Sequence, residues 1–256
     1  MKRLGLLILS GIAISLAQPA LAEPTNIVVH VIAKGAKFVG TAMGGAEVTL
    51  SDADSGEVLA RGLTAGGTGS TPNIMTTPHI PGDVLSDEDA ARFETTIDID
   101  RPRKITATVT GPMDPSSSAM TVTSTQWVLP GKHVSEGDAW LIELRGFAIA
   151  PAEGMPHEVS LDAASHGVPL TVKVTMMCGC PLTPGGMWDA DKVEVGAVLM
   201  RDGDRGTPVE LSYAGEASTF SGELAVGEPG NYIVEVYAYD PTNGNTGLQQ
   251  IPLVVD

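Results

Sequence analysis

Apolar and polar residues alternate with a period of two through much of the chain. In "KITATVTG", Ile105, Ala107 and Val109 fall on one side of an extended backbone, and Lys104, Thr106, Thr108 and Thr110 fall on the other. "AEVTL" repeats the arrangement with Ala46, Val48 and Leu50. Stretches of this kind predict half-buried strands of antiparallel sheets. "NIVVHVIAK" is apolar almost throughout, as a central strand would be. Between the strands stand "DADSGE", "RDGDRG" and "PTNGNTG", whose Gly, Asn and Asp residues suit tight turns. Many short strands with such punctuation predict sandwiches.

Helical spacing is scarce. One short helix is expected in "LSDEDAARFE", with Ser86 as its cap and Asp87, Glu88 and Asp89 in the first turn. It falls within an aperiodic insertion, 64–95, rich in Gly, Thr and Pro, and a loop of that length is usually functional or mobile. After strand-like "AWLIELRGF", Pro151, Gly154 and Pro156 interrupt regular structure. The reading is therefore all-β, with two tandem antiparallel, Ig-like sandwiches, at 23–150 and 153–256.

The start of the chain reads differently. "MKRLGLLILSGIAISLAQPALA" has basic Lys2 and Arg3, a short apolar run and an Ala20-Leu21-Ala22 end, the pattern of a cleaved signal peptide over 1–22. The expectation is an exported protein, periplasmic or secreted, without a transmembrane anchor. The formal net charge is −16, and losing the leader would make it more negative. Such a surface repels phosphate backbones and anionic lipid, which argues against nucleic acid as a partner. Another protein of the bacterial envelope is the expected partner. The oligomeric state is left open.

Two resemblances follow from local residues. "GGAEVTLSDADSGEVLARGLT", within 26–66, resembles transthyretin-like or carboxypeptidase-regulatory-like sandwich modules, which implies a binding or structural role. "EPGNYIVEVYAYDPTNGNTGLQQIPLVV" is similar to the last two strands of bacterial immunoglobulin-like domains. There Glu228, Gly230, Tyr232 and Val234 follow the spacing of a tyrosine corner. Val234 stands where antibody domains carry the second cysteine, so the resemblance offers no inter-sheet bridge.

The only cysteines, Cys178 and Cys180, lie in "TMMCGCPLTPGGMWD". "PLTVKVTMMCGC" begins as a strand with Leu170, Val172, Val174 and Met176 on one face. Continued alternation would align Met176, Cys178 and Cys180. Two thiolates with the thioethers of Met176 or Met187 form a soft ligand set for a metal such as Cu(I), and His157 could join them if its segment folds back. A Cys178–Cys180 disulfide is the structural alternative. On an extended strand alternate Cα atoms lie about 6.5 Å apart, near the limit for a bridge, so a bend at Gly179 would be required. A thiol–disulfide or sulfur carrier is a third reading, and ordinary packing a fourth.

Other chemistry is thin. No Gly-x-Ser-x-Gly elbow, phosphate-binding loop or His-Glu-x-x-His occurs, and no catalytic residue is assigned. His30 reads as a core or edge residue, while His79, His133 and His166 are isolated. Asp52, Asp54 and Glu57, like Asp202 and Asp204, hint at calcium but suit plain turns better. Trp127 and Trp188 are expected to be packing anchors. The function expected is a non-catalytic binding or accessory protein of the envelope, with copper as its candidate cofactor. A structural module presenting 64–83 to a partner, with the cysteines as a staple, is the alternative, as is a thiol carrier.

Overall fold

The computed structural model describes residues 21–256. The expected leader lies outside the described residues except for Leu21 and Ala22. No helix among the described residues is long and apolar enough to cross a membrane.

The first unit has seven strands: β1 (Glu23–Ala33), β2 (Glu47–Asp52), β3 (Val58–Leu63), β4 (Arg92–Ile99), β5 (Arg103–Gly111), β6 (Met120–Val128) and β7 (Trp140–Leu144). They form two facing sheets, ordered β4-β1-β7 and β3-β2-β5-β6. The period-two residues fill the space between them. Ile105, Ala107 and Val109 meet Val48 and Leu50 on one sheet, and Ile27, Val29, Val31, Ile142 and Leu144 on the other, all buried.

β1 is apolar on both faces because both are covered. Its second face carries Ile32 and His30, roofed by part of the insertion. A small separate core of Phe38, Ile74, Ala90 and Ala91 closes over it, with Met75 and Leu85 packed alongside. His30 is buried, with Nδ1 2.9 Å from the Ala91 carbonyl and its ring tilted against Phe38. Stripping the imidazole of water holds its pKa below the ordinary 6.5.

The insertion does hold a helical turn, but at Pro72–Thr76 and not over "LSDEDAARFE". That stretch is a loop running into β4. Its would-be helical amides are captured from afar: Leu85 N and Ser86 N donate to the Asp138 carboxylate at 3.0 and 2.7 Å. Asp87 accepts from Ser70 N at 2.7 Å, and Phe93, Ile97 and Ile99 alternate into the core as a strand requires.

The second unit contains β8 (Phe147–Pro151), β9 (Glu158–Val159), a short helix α1 (Leu161–Ser165), β10 (Val168–Met176), β11 (Glu194–Arg201), β12 (Asp204–Arg205), β13 (Val209–Glu210), β14 (Ser212–Tyr213), β15 (Thr219–Leu224), β16 (Gly230–Asp240) and β17 (Asn245–Val255). Its sheets are β14-β15-β10-β8 and β12-β11-β16-β17-β9, with β13 paired to β11. The tyrosine corner is formed: Tyr232 Oη donates to the Glu228 carbonyl at 2.8 Å. The Arg201 guanidinium lies 5.5 Å from the Tyr232 ring centroid and pairs with the Glu228 carboxylate at 2.6 Å. β8 pairs antiparallel with β10, so in the hydrogen-bonded sheets the second unit begins at Phe147, ahead of Pro151.

The connection between the units is Arg145–Gly146, and hydrogen bonds hold the joint directly. The buried Asn245 carboxamide accepts from Gly146 N and donates to Gly146 O, each at 2.8 Å. Ser118 Oγ accepts from Ile149 N and donates to Ile149 O, also at 2.8 Å. Lys34 Nζ reaches Asn243 O at 2.7 Å. One apolar core runs unbroken from Ile27 to Val255 across this seam.

A candidate binding groove beside the Cys178–Cys180 hairpin

β10 ends at Met176, and the alternation ends with it. Gly179 N donates to Met176 O at 2.8 Å, and Met176 N to Cys180 O at 3.1 Å. This reverses the chain in place of extending it. Gly179 takes φ 77°, a conformation that a Cβ would make costly. The bend brings the two Cα atoms to 5.4 Å, and Cys178 and Cys180 are bridged. Both are sealed, at 2% and 5% exposure, with Met176 and Met177 also buried.

The sulfurs therefore do not line an accessible strand face, contrary to the aligned Met176-Cys178-Cys180 arrangement expected. Of the other proposed ligands, Met187 is half exposed and His157 lies at the surface near the Pro252 carbonyl, 3.5 Å away. Among the described residues no three His, Cys, Asp or Glu side chains gather as a metal would need. As arranged, with both sulfurs bridged, the donor set does not fit a soft metal.

What the hairpin does instead is hold the next segment in place. Ser218, buried and at φ 65°, accepts from Leu182 N through Oγ at 3.0 Å and donates its own N–H to Leu182 O at 2.8 Å. Asp189 then ties the following turn: its Oδ1 accepts from Gly185 N at 2.8 Å and Asp191 N at 3.2 Å. Those two backbone donors, with Lys192 at 3.3 Å, hold the carboxyl below its ordinary range. Trp188 Nε1 donates to the Gly35 carbonyl of the first unit at 3.0 Å.

The wall so fixed borders a cleft of 190 Å³ along the seam, bounded by Gly35, Phe147, Leu182, Met187 and Trp188. Lys192, Val193 and Thr242 also line a second, larger cleft of 560 Å³, so the two clefts share a wall and together form a bipartite groove. Its floor depends on Gly196. Tyr237 and Glu210 pair with Gly196 from opposite sides, and the bare glycine lets the Tyr237 ring lie over the strand, where any Cβ would strike its hydroxyl end at 2.5 Å. Asp191, Glu194 and Glu210 line this part. Lys192 is the single basic lining residue, and it pairs with Asp189, so the groove is net negative.

The remaining candidates fall elsewhere. Asp52 Oδ1 accepts from Asp54 N, Ser55 N and Ser55 Oγ within its own turn, and the backbone of Asp202 makes the hairpin turn of β11–β12 at φ 52°. His133 Nδ1 accepts from Asn26 N at 3.1 Å, His79 lies 3.9 Å from Asp83, and His166 Nδ1–H donates to Asp162 O at 2.7 Å. Trp127, expected to be a packing anchor, is 62% exposed, with Lys104 Nζ 5.4 Å from its ring. Sequence reasoning missed Tyr237 and the carboxylates around it. The available signal was Gly196 inside an otherwise apolar strand, the mark of a close approach.

No family model matches the chain, and no curated protein is similar to it. Among solved structures, the chain is similar to fibronectin(III)-like modules of Clostridium thermocellum CbhA (11% identity, 91% of this chain and 94% of that one, TM-score 0.28). It is also similar to a DUF3823 family protein from Bacteroides uniformis (11%, 91% and 99%, TM-score 0.27). A third similarity is to the N-terminal four Ig domains of Dscam1 (13%, 92% and 51%, TM-score 0.25). The two-sheet packing and the tyrosine corner make the chain an all-β, Ig-like sandwich protein.

Proposed function

We propose that this chain is an exported, non-catalytic binding protein of the bacterial envelope, and that its ligand seat is the groove between Trp188 and Tyr237. The observation that carries this reading is the joint itself. Two sandwiches without slack between them border the smaller cleft, whose wall is fixed by a buried disulfide and a left-handed serine, and the larger cleft of the second unit adjoins it. Binding sites placed on a rigid scaffold lose little freedom on complex formation. Trp, Tyr and Met are the side chains enriched at interface centres, and Asp191, Glu194 and Glu210 favour positive charge. The ligand that fits is an extended segment of a partner protein bearing basic and apolar side chains.

The test is selection from a random peptide library displayed on phage, with the purified chain immobilised. Enrichment of basic, apolar sequences whose binding weakens at least tenfold in Tyr237→Ala or Met187→Glu, and falls with added salt, supports the reading. Peptides that bind both variants as well as the original place the seat elsewhere.

A further inference from the structure

β6 is an edge strand of unusual character. It ends the order β3-β2-β5-β6, its register with β5 runs from Gly111↔Met120 to Arg103↔Val128 without a bulge, and no described strand pairs with its outer side through the backbone. Trp140 of β7 reaches it only by side chain, donating Nε1 to Ser124 Oγ at 3.0 Å. Edges of this length are normally blunted by charge, Pro, bulges or brevity. The other edges here follow that rule. β3 pairs across a register shift and carries Arg61, β4 carries Arg92, Glu94 and Asp98, β7 has five residues and carries Glu143, β8 ends in Pro151, and β9, β12 and β14 have two residues each. β6, "MTVTSTQWV", has nine residues with no charge, Pro or Gly.

Its outer face is equally distinct. Thr121, Thr123, Thr125 and Trp127 stand opposite Thr110, Thr108, Thr106 and Lys104 of β5. Two hydroxyl pairs, Thr106–Thr125 and Thr110–Thr121, are closed at 2.9 Å on either side of Thr123. Trp127 on this face is 62% exposed, while on the opposite face Met120 is 49% exposed and Gln126 Nε2 is buried without an acceptor. In a chain of net charge −16, this is a long edge on which two copies meet no carboxylate.

We infer that β6 is a homodimerisation edge, pairing antiparallel with β6 of a second copy about a two-fold axis at Ser124. In that register Thr123 faces Thr125 of the second copy, Thr121 faces Trp127, and Met120 faces Val128. The hydroxyl ladder continues across the axis, and the two four-stranded sheets become one of eight strands. The interface is isologous and closed, so assembly stops at two copies.

The experiment is light scattering after size exclusion over a concentration series, with thermal melts to establish that each variant folds. Thr123→Lys/Thr125→Lys sets four lysines in a row across the axis, and Thr123→Glu/Thr125→Glu sets four carboxylates there; all are solvated in a single copy. The unaltered chain should run at twice its mass and each variant at its single mass. An equal mixture of the two variants should regain the doubled mass through opposite-charge pairs. An unaltered chain that stays single up to its solubility limit, a dimer indifferent to both substitutions, or a mixture that fails to pair would each overturn the assignment.

Discussion

Asn245→Ala tests how much the joint contributes. The native carboxamide is 2% exposed and meets both polar groups of the Gly146 peptide at 2.8 Å. Alanine would leave Gly146 N–H and C=O buried without partners, at about 1–3 kcal/mol for each unsatisfied group, partly relieved by water, or roughly 2–4 kcal/mol in all. For a chain of this size each kcal/mol corresponds to about 2–4 °C in Tm, so a fall of roughly 5–15 °C is expected in scanning calorimetry. Asn231→Ala, at an exposed position of β16 away from the joint, should cost less than about 1 kcal/mol. Asn245→Asp keeps the acceptor for Gly146 N–H but turns a second acceptor towards Gly146 O, and should be worse than alanine at neutral pH. A Tm within about 2 °C of the original for Asn245→Ala would refute the view that this amide holds the units together.

Three further outcomes follow. His30 stays neutral in the fold below its ordinary 6.5, so the unfolded chain binds the extra proton. Stability is then complete above that value and falls as pH drops through and below it, and His30→Gln should flatten urea titrations across this window. Gly146→Ala forces a side chain onto φ 130° and into the Met177 methyl, which should cost about 1–3 kcal/mol by chemical denaturation. Freshly purified protein should have an intact mass two hydrogens below that of the dithiol form, and in that form it should leave Cu(I) with a competing chelator. Free thiols, or copper retained by the oxidised protein, would count against the sealed bridge.

Much of the fold was legible because each strand's burial follows its own alternation, as in Ile105-Ala107-Val109, and because the tyrosine corner is a local device with its acceptor four residues away. The continuous run of β1 also marked it as a central strand, between β4 and β7, without saying what covers its second face. The failures share a cause. "LSDEDAARFE" has the local chemistry of a helix, but Asp138 and Ser70, distant in sequence, bind its backbone and carboxylates. The end of alternation at Met176 depends on a reversal that Gly179 permits but does not announce. The groove left a single trace, Gly196 within an apolar strand, since Tyr237 and Glu210 flank that glycine only through sheet register.

β1 lies between β4 and β7 and pairs in parallel with β7, the last strand of its unit. A nascent chain therefore cannot complete its first sandwich until residues 140–144 have been made, however early the amino terminus appears. Until that moment β1 has one unpaired side, and Trp140, Ile142 and Leu144 are missing from the core beside it. The unit gains cooperative stability in a single late step, and any fragment ending before Trp140 should be caught by chaperones or proteases as unfinished.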